Sequence, residues 1–401
     1  MYPSVTVQPR AAVNAAFKHP WIFSRAILHA DEDVVHGSLV HVRDPEGNTV
    51  GVGTASTVSS IAIRLFVFEE AVIDQAWFVQ RLREADVRRH LLGYGPGMDT
   101  TGYRIVFGES DGIPGLIVDR YEDVLVFQLG TAGLDAIRLE IIEALKEVFH
   151  PRVIVERSDL PSRHEENLED VMGVQSGDDP GLVAFQENGL IFEADVLGGQ
   201  KTGFFLDQKD LRQAIRSFAN GRDVLNLFSY TGSAGVAALA GGAKRVLNVD
   251  ASASALEACQ PLARLNKLPV KRMETQKADI FPWIASQREP AYDLVLVDPP
   301  ALIKSQKDIE EGKKAYHFLN RSAMRLVSDN GIFITSSCSH YLSEEDFTFI
   351  LRRASVQAGV HLSILRVIRQ SPDHPFSLYF PEAGYLKSFV CEVRREARKE
   401  V

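Results

Sequence analysis

From about residue 221 onward the chain repeats one rhythm: a short apolar run, a turn, then a stretch with helical periodicity. The apolar runs fall at 223–227, 245–249, 294–297 and 331–335, and the helical stretches at 235–240, 253–265 and 313–326. Strands that alternate with helices in this way run parallel, because returning to the same end of a sheet takes a long crossover. The expected architecture is therefore α/β, a mostly parallel sheet with helices on both faces. In such open sheets ligands sit beyond the carboxyl ends of the strands. The residues just past each apolar run are the first places to look for chemistry.

The first of these turns, Asn226-Leu227-Phe228-Ser229-Tyr230-Thr231-Gly232, leads from a strand through small residues into a helix. Glycine there lets backbone approach a ligand closely. A carboxylate, Asp250, closes the next strand roughly 20 residues on, the arrangement that bonds ribose hydroxyls. Together they point to a nucleoside cofactor. The loop is neither a G-x-G-x-x-G fingerprint nor a triphosphate-binding G-x-x-x-x-G-K-[ST], which disfavours hydride and phosphoryl transfer. Asp279, in Ala278-Asp279-Ile280-Phe281, offers either a carboxylate for a purine edge or a helix N-cap. Asp298-Pro299-Pro300 follows another buried run and sets a carboxylate before two rigid residues. There Asp298 can hold the amino group of a target base or complement a sulfonium charge.

Only three cysteines occur, Cys259, Cys338 and Cys391, without a CxxC pair, so neither a disulfide framework nor a metal site is expected. Cys259 within a helix and Cys391 within the last strand read as small packing residues. Cys338 differs. It lies in Thr335-Ser336-Ser337-Cys338-Ser339-His340, just past an apolar strand on the edge that carries Gly232 and Asp298, where a thiolate is accessible. Carbon 5 of cytosine is a poor nucleophile until a thiolate adds to carbon 6, so a cysteine beside a methyl donor suits methylation at that carbon.

Ahead of this region, 9–68 alternates short strands with turn residues and reads as a small β-barrel, and 73–92 reads as a helix. A mixed α+β segment follows, in which 158–180, rich in charge, Gly and Pro, reads as a surface loop. The expected domains are 1–72, 73–195 and 196–401. No apolar run approaches a membrane span and the first residues lack a signal peptide, so a cytoplasmic protein is expected. A net charge of −9 argues against indiscriminate nucleic-acid binding. It leaves room for a local basic groove, for which Arg81, Arg83, Arg88 and Arg89 are candidates, although such a run more often marks a solvated helix face.

With these residues assembled, the chain resembles the bacterial PUA-domain methyltransferases that make 5-methylcytosine in 23S ribosomal RNA. The likeness runs from His19-Pro20-Trp21-Ile22-Phe23-Ser24 through 108–115 and Lys201-Thr202-Gly203-Phe204-Phe205-Leu206-Asp207-Gln208 to Asn226–Gly232, Asp298-Pro299-Pro300 and Ser337-Cys338-Ser339. It ends at Asp373-His374-Pro375 and Tyr385-Leu386-Lys387. The resemblance implies a PUA domain that holds RNA, a central α+β domain, and a class I, Rossmann-like methyltransferase domain using S-adenosylmethionine. It implies Cys338 as nucleophile, with Phe205, Asp207 and Gln208 lining the approach to the donor; the residues themselves set that donor among Asn226, Phe228, Tyr230, Gly232, Asp250, Asp279 and Asp298, with Asp298 also able to steady the base. The implied partner is large-subunit ribosomal RNA, and the assembly considered is a homodimer. This chain carries Ala301-Leu302 where such enzymes commonly have Lys-Phe. Rival readings are a methyltransferase acting on a guanine nitrogen, which needs no thiol, and a non-catalytic RNA-binding assembly factor.

Overall fold

The Asp223–Leu227 strand takes every second residue into one core and the alternate ones into another. Leu225 and Leu227 join Val295, Val297 and Phe333 of neighbouring strands in a cluster with Tyr316, Leu319, Phe347 and Ile350, while Val224, Leu294, Leu296, Ile332 and Ile334 are buried as well. A strand buried on both faces reads as a continuous apolar run, which is why the sequence carries such runs here. Each such side chain contributes about 1.5–3 kcal/mol relative to exposure.

The structure is a computed structural model that describes residues 2–287 and 289–395. It divides into two units. One comprises Leu190–Phe192, Asp207–Ser371 and Gly384–Val401, and the other Met1–Gly189, Glu193–Leu206 and Pro372–Ala383. The chain thus leaves and re-enters each unit, an exchange of segments that a linear reading of domains does not anticipate.

The unit containing Asp207–Ser371 is built on a seven-stranded sheet. Its spatial order is Met273–Lys277, Arg245–Asp250, Asp223–Leu227, Tyr292–Val297, Val327–Ser337, Lys387–Arg395 and Val360–Ile368. The first five strands run parallel, and Lys387–Arg395 inserts antiparallel between its two neighbours. The expected helix over 253–265 is broken into Ala253–Glu257 and Cys259–Leu265, and the one over 313–326 runs as Ile309–Met324. Val327–Ser337 is longer at both ends than the apolar run 331–335, because Ser336 and Ser337 are buried by pairing with Ser388 and Lys387.

The other unit carries a six-stranded sheet from residues 4–67 and a five-stranded sheet from residues 102–176. Two of the elements that escaped the sequence pattern have clear reasons. Pro9–Ala16 is a helix that starts on its proline, in a segment expected to hold only strands. Val171–Ser176, in the expected surface loop, pairs antiparallel with Val153–Ser158. It is an edge strand with little buried surface, so its sequence carries no apolar alternation to announce it. In the same loop Arg163 is buried and donates to the Leu129 carbonyl at 2.9 Å and to Asp135.

The arginine run of the Gln75–Leu91 helix is engaged with acids. Arg81 pairs with Glu84, Arg83 with Glu147, and both Arg88 and Arg89 with Asp111. Arg89 is only 1% exposed and makes two bonds to the Asp111 carboxylate, at 2.7 and 2.6 Å, and one to the Asp373 carbonyl. Burial is the largest single influence and would raise the Asp111 pKa; the Arg89 bonds, the charges of Arg89 and Arg88 and the Phe107 N–H together outweigh it and hold the carboxyl below its ordinary value. The stability this group contributes is present above the ordinary carboxylate range and is lost as pH falls through the depressed folded-state value. Arg89→Met, which leaves Asp111 buried without that partner, should cost about 3–5 kcal/mol in chemical denaturation, with part recovered by adding Asp111→Leu. A loss below about 1 kcal/mol would show that the pair carries no such weight.

Candidate active site

Backbone register lines up the ends of four strands. Leu227 lies opposite both Val249 and Val297, and Val297 lies opposite Thr335. Phe228, Asp250, Asp298 and Ser336 therefore stand at one level on strands about 4.8 Å apart, Asp250 and Ser336 still paired within theirs. Cys338 is the first residue beyond Val327–Ser337.

The loop after Leu227 holds an unusual backbone. Phe228 and Tyr230 have φ of 59° and 49°, and Gly232 follows at 80°. Left-handed conformations at two aromatic residues cost free energy and persist only where the surroundings fix them. The fixing is visible. Asp250 accepts the Tyr230 N–H on one carboxylate oxygen and the Ser252 N–H on the other, each at 2.8 Å, and Ser229 N–H reaches the Val249 carbonyl. At Gly232 a Cβ would stand 2.5 Å from Cys259 Sγ, and at Gly235 one would stand 2.5 Å from Asn248 Oδ1. Asn226 is buried and donates its amide to Asn248 at 2.9 Å, bracing neighbouring strands beneath the loop. Asp279 is exposed and caps the Ile280–Ser286 helix through the Phe281 N–H. Phe228 and Phe281 meet edge to face, with centroids 6.5 Å apart.

Other sequence candidates fall into linked positions. Gln208 donates to Asp298 at 2.6 Å. Asp207 accepts the Tyr385 hydroxyl on its carboxylate, and its carbonyl takes both the N–H and the hydroxyl of Ser371. Phe205 lies at the end of the other unit, half-buried, with the Lys201 ammonium 4.6 Å from its ring centre.

Cys338 is half-buried, whereas Ser337 and Ser339 on either side are buried. Ser337 donates to the Tyr316 hydroxyl at 2.9 Å, which shares a bond with Ser339 Oγ at 3.0 Å, and Ser339 Oγ also accepts the Ile303 N–H. Burial pushes the Tyr316 phenol above its ordinary value, so it keeps its proton and the network its donor. Lys387 donates to the Ser339 carbonyl at 3.0 Å. His340 is exposed and packs its ring edge against Tyr341. Tyr316 was missed because its helical position reads as core. Lys387 was quoted only as part of the family likeness. Among the described residues no group of three or more potential metal ligands occurs, and no helix is long and apolar enough to cross a membrane.

The chain is similar to known proteins over most of its length. A family of S-adenosylmethionine-dependent methyltransferases matches residues 160–375, and a PUA-like domain matches residues 5–68. Ribosomal RNA large subunit methyltransferase I of Yersinia pestis is 37% identical over 380 residues, covering 94% of this chain and 96% of that one, and its Yersinia pseudotuberculosis counterpart matches equally well. Among solved structures, an S-adenosylmethionine-dependent methyltransferase from Streptococcus mutans shares the fold, with a TM-score of 0.82 at 22% identity over 97% of this chain and 99% of that one. A methyltransferase solved with S-adenosylhomocysteine gives 0.83 at the same identity and coverage. The homodimer finds no support in these likenesses.

Gly232→Ala should abolish or severely weaken S-adenosylmethionine binding in calorimetry, because its Cβ meets Cys259 Sγ and its φ is left-handed. Adding Cys259→Ala should recover only part, since the backbone strain remains. Wild-type affinity in the single variant would mean that the loop does not hold the donor.

Proposed function

We infer, for a chain that belongs to the S-adenosylmethionine-dependent methyltransferases and among them to the ribosomal RNA large subunit methyltransferase I family, that it methylates carbon 5 of a cytosine in large-subunit ribosomal RNA. The observation that carries this reading is Cys338, half-exposed one residue past its strand and on the edge that also bears Asp298. We keep 1–72, 73–195 and 196–401 as the working division into PUA, central and methyltransferase domains.

The residues present suit a nucleoside donor. A carboxylate accepts several hydrogen bonds, so Asp250 can take ribose hydroxyls while it holds the loop. Phe228 and Phe281 offer apolar surface for a purine, and Tyr230 and Gly232 shape the turn. Asp279 would act there only from its cap position, and Asn226 through its backbone. Phe205, Asp207 and Gln208 would line the approach. S-adenosylmethionine, when bound, supplies an electrophilic methyl group.

Cys338 thiolate adds to carbon 6 of the cytosine, which makes carbon 5 nucleophilic. Asp298, steadied by Gln208, takes a hydrogen bond from the base's amino group. Once carbon 5 carries the methyl group and the spent donor is left as its thioether, the carbon 5 proton passes to water, its electron pair reforms the ring double bond, and the carbon–sulfur bond breaks to restore the thiolate. The base must be unpaired or extruded, because a stacked base cannot offer this carbon to both sulfur and donor.

Phosphate neutralisation does not require a basic protein overall. A groove of about 470 Å³ beside the Ile309–Met324 and Glu344–Ala358 helices is lined by Lys313, Lys314, His317 and Arg353 together with Glu310 and Asp346. Asp346 is held by Lys313 at 3.1 Å and Lys314 stands 3.6 Å from Glu311, whereas among the described residues Arg353 forms no ion pair. Burial lowers the His317 pKa, and Arg321 and Arg353 lower it further. We assign these cations to the RNA backbone.

Cys338→Ala should abolish methylation of ribosomal RNA while S-adenosylmethionine affinity stays within about twofold, since the thiol acts only on the base. Undiminished methylation would remove the covalent scheme and favour a nitrogen target. Lys314→Glu with Arg353→Glu should raise the KM for RNA and reduce the slope of log affinity against log salt by on the order of two. An unchanged slope would clear this groove of phosphate contact.

A further inference from the structure

Lys387 begins the Lys387–Arg395 strand directly across the antiparallel ladder from Ser337. Its side chain turns inward and the residue is only 6% exposed. A buried ammonium loses several kcal/mol of hydration and persists as a charge only where something compensates it. Its hydrogen bond goes to a neutral oxygen, the Ser339 carbonyl, and among the described residues it forms no ion pair. Nearby Glu344 is already paired with Arg369 at 2.6 Å, so those two charges largely cancel. The neighbour that can become an anion is Cys338, one residue from each of the two positions that Lys387 engages.

We propose that Lys387 is a positioning residue for the nucleophile, its ammonium fixed on the Ser339 carbonyl as the counter-charge that lets Cys338 ionise near neutral pH. The proposal rests on the reading of Cys338 as the attacking sulfur. Burial pushes the Lys387 pKa down, and a negative charge on Cys338 pulls it back up, so the two groups interact in the direction required.

The proton balance is simple. The Cys338 S–H bond breaks with its proton passing to water, while Lys387 keeps all three protons and forms no covalent bond. When the carbon–sulfur bond of the adduct breaks, its electron pair returns to sulfur beside the same ammonium. Lowering a thiol's pKa also lowers its intrinsic nucleophilicity, but with a Brønsted coefficient near 0.4–0.5 the gain in thiolate fraction outweighs that loss until the pKa reaches ambient pH. A better leaving thiolate also speeds release of product.

The test uses the full chain without RNA. Alkylation of Cys338 by iodoacetamide is followed by peptide mass spectrometry from about pH 5.5 to about pH 9.5, the range over which thiols ionise. Cys259 and Cys391, both buried and both pushed up to about 12, serve as unreactive internal references. Lys387→Gln keeps a donor for the Ser339 carbonyl but removes the charge, and Lys387→Arg restores the charge. The Gln variant should shift the midpoint of the rate profile upward by on the order of one pH unit, about tenfold slower alkylation at neutral pH. The Arg variant should move it back toward wild type. Calorimetry with S-adenosylmethionine reports whether each variant is folded, and Lys387→Met substitutes if the Gln variant is not. Superimposable wild-type and charge-free profiles would overturn the proposal. Failure of the underlying reading shows elsewhere, as undiminished RNA methylation by Cys338→Ala, so the two outcomes are told apart.

Discussion

The proposed chemistry of this chain depends on strand register at one sheet edge. Leu227 opposite Val249 and Val297, and Val297 opposite Thr335, bring four strand ends to a common level. A slip of one residue in any of them would exchange the two buried faces and send the terminal side chain to the wrong side. That error is costly here because both faces are buried. Leu225 and Leu227 on one face and Val224 on the other are each at most 2% exposed. The core therefore brings Asp250 and Asp298 to one level at the candidate site, with Cys338 just beyond it.

At that edge the backbone departs from regular geometry only where polar groups hold it. The left-handed residues Phe228 and Tyr230 stand beside an Asp250 carboxylate that accepts two backbone N–H groups. The turn at Cys338 is braced by Tyr316, which joins Ser337 to Ser339, and by Lys387 on the Ser339 carbonyl. Each of these bonds contributes about 1 kcal/mol net, but leaving any of the buried partners unmade would cost about 1–3 kcal/mol. The penalty for a missing bond, more than the gain from each one, keeps both turns in a single arrangement.

The architecture was legible because burial on both faces writes apolar runs into the sequence, and the candidate residues lie where those runs stop. Asp298 and Cys338 could be placed from that rule alone. What escaped lacks an apolar signature. Val171–Ser176 is a polar edge strand, Tyr316 reads as a packing residue until its hydroxyl is seen among serines, and the segment exchange around 372–383 joins residues distant in sequence, as in the Arg104 N–H bond to Asp373. The arginine run at 81–89 read more readily as a solvated helix face than as a groove, which fits Arg81, Arg83 and Arg88 but not the buried Arg89. Its charges were visible, but their partners Glu84, Glu147 and Asp111 were not.

The three cysteines show how far residue type alone carries an argument. Cys259 lies against Gly232 inside a helix packing, where burial and the Asp250 charge push its thiol up to about 12, so it shapes the loop and stays protonated. Cys391 is walled in by strands on both sides and is likewise pushed up to about 12 by burial alone. Cys338 has the same chemistry but stands where a strand ends, half-exposed, with a buried ammonium one residue away. A thiol in the interior faces a desolvation cost for its anion that a single distant charge cannot offset; at a strand end, water and one lysine together can. Position relative to the sheet edge decides which sulfur can react, and the sequence records that position through where its apolar runs stop.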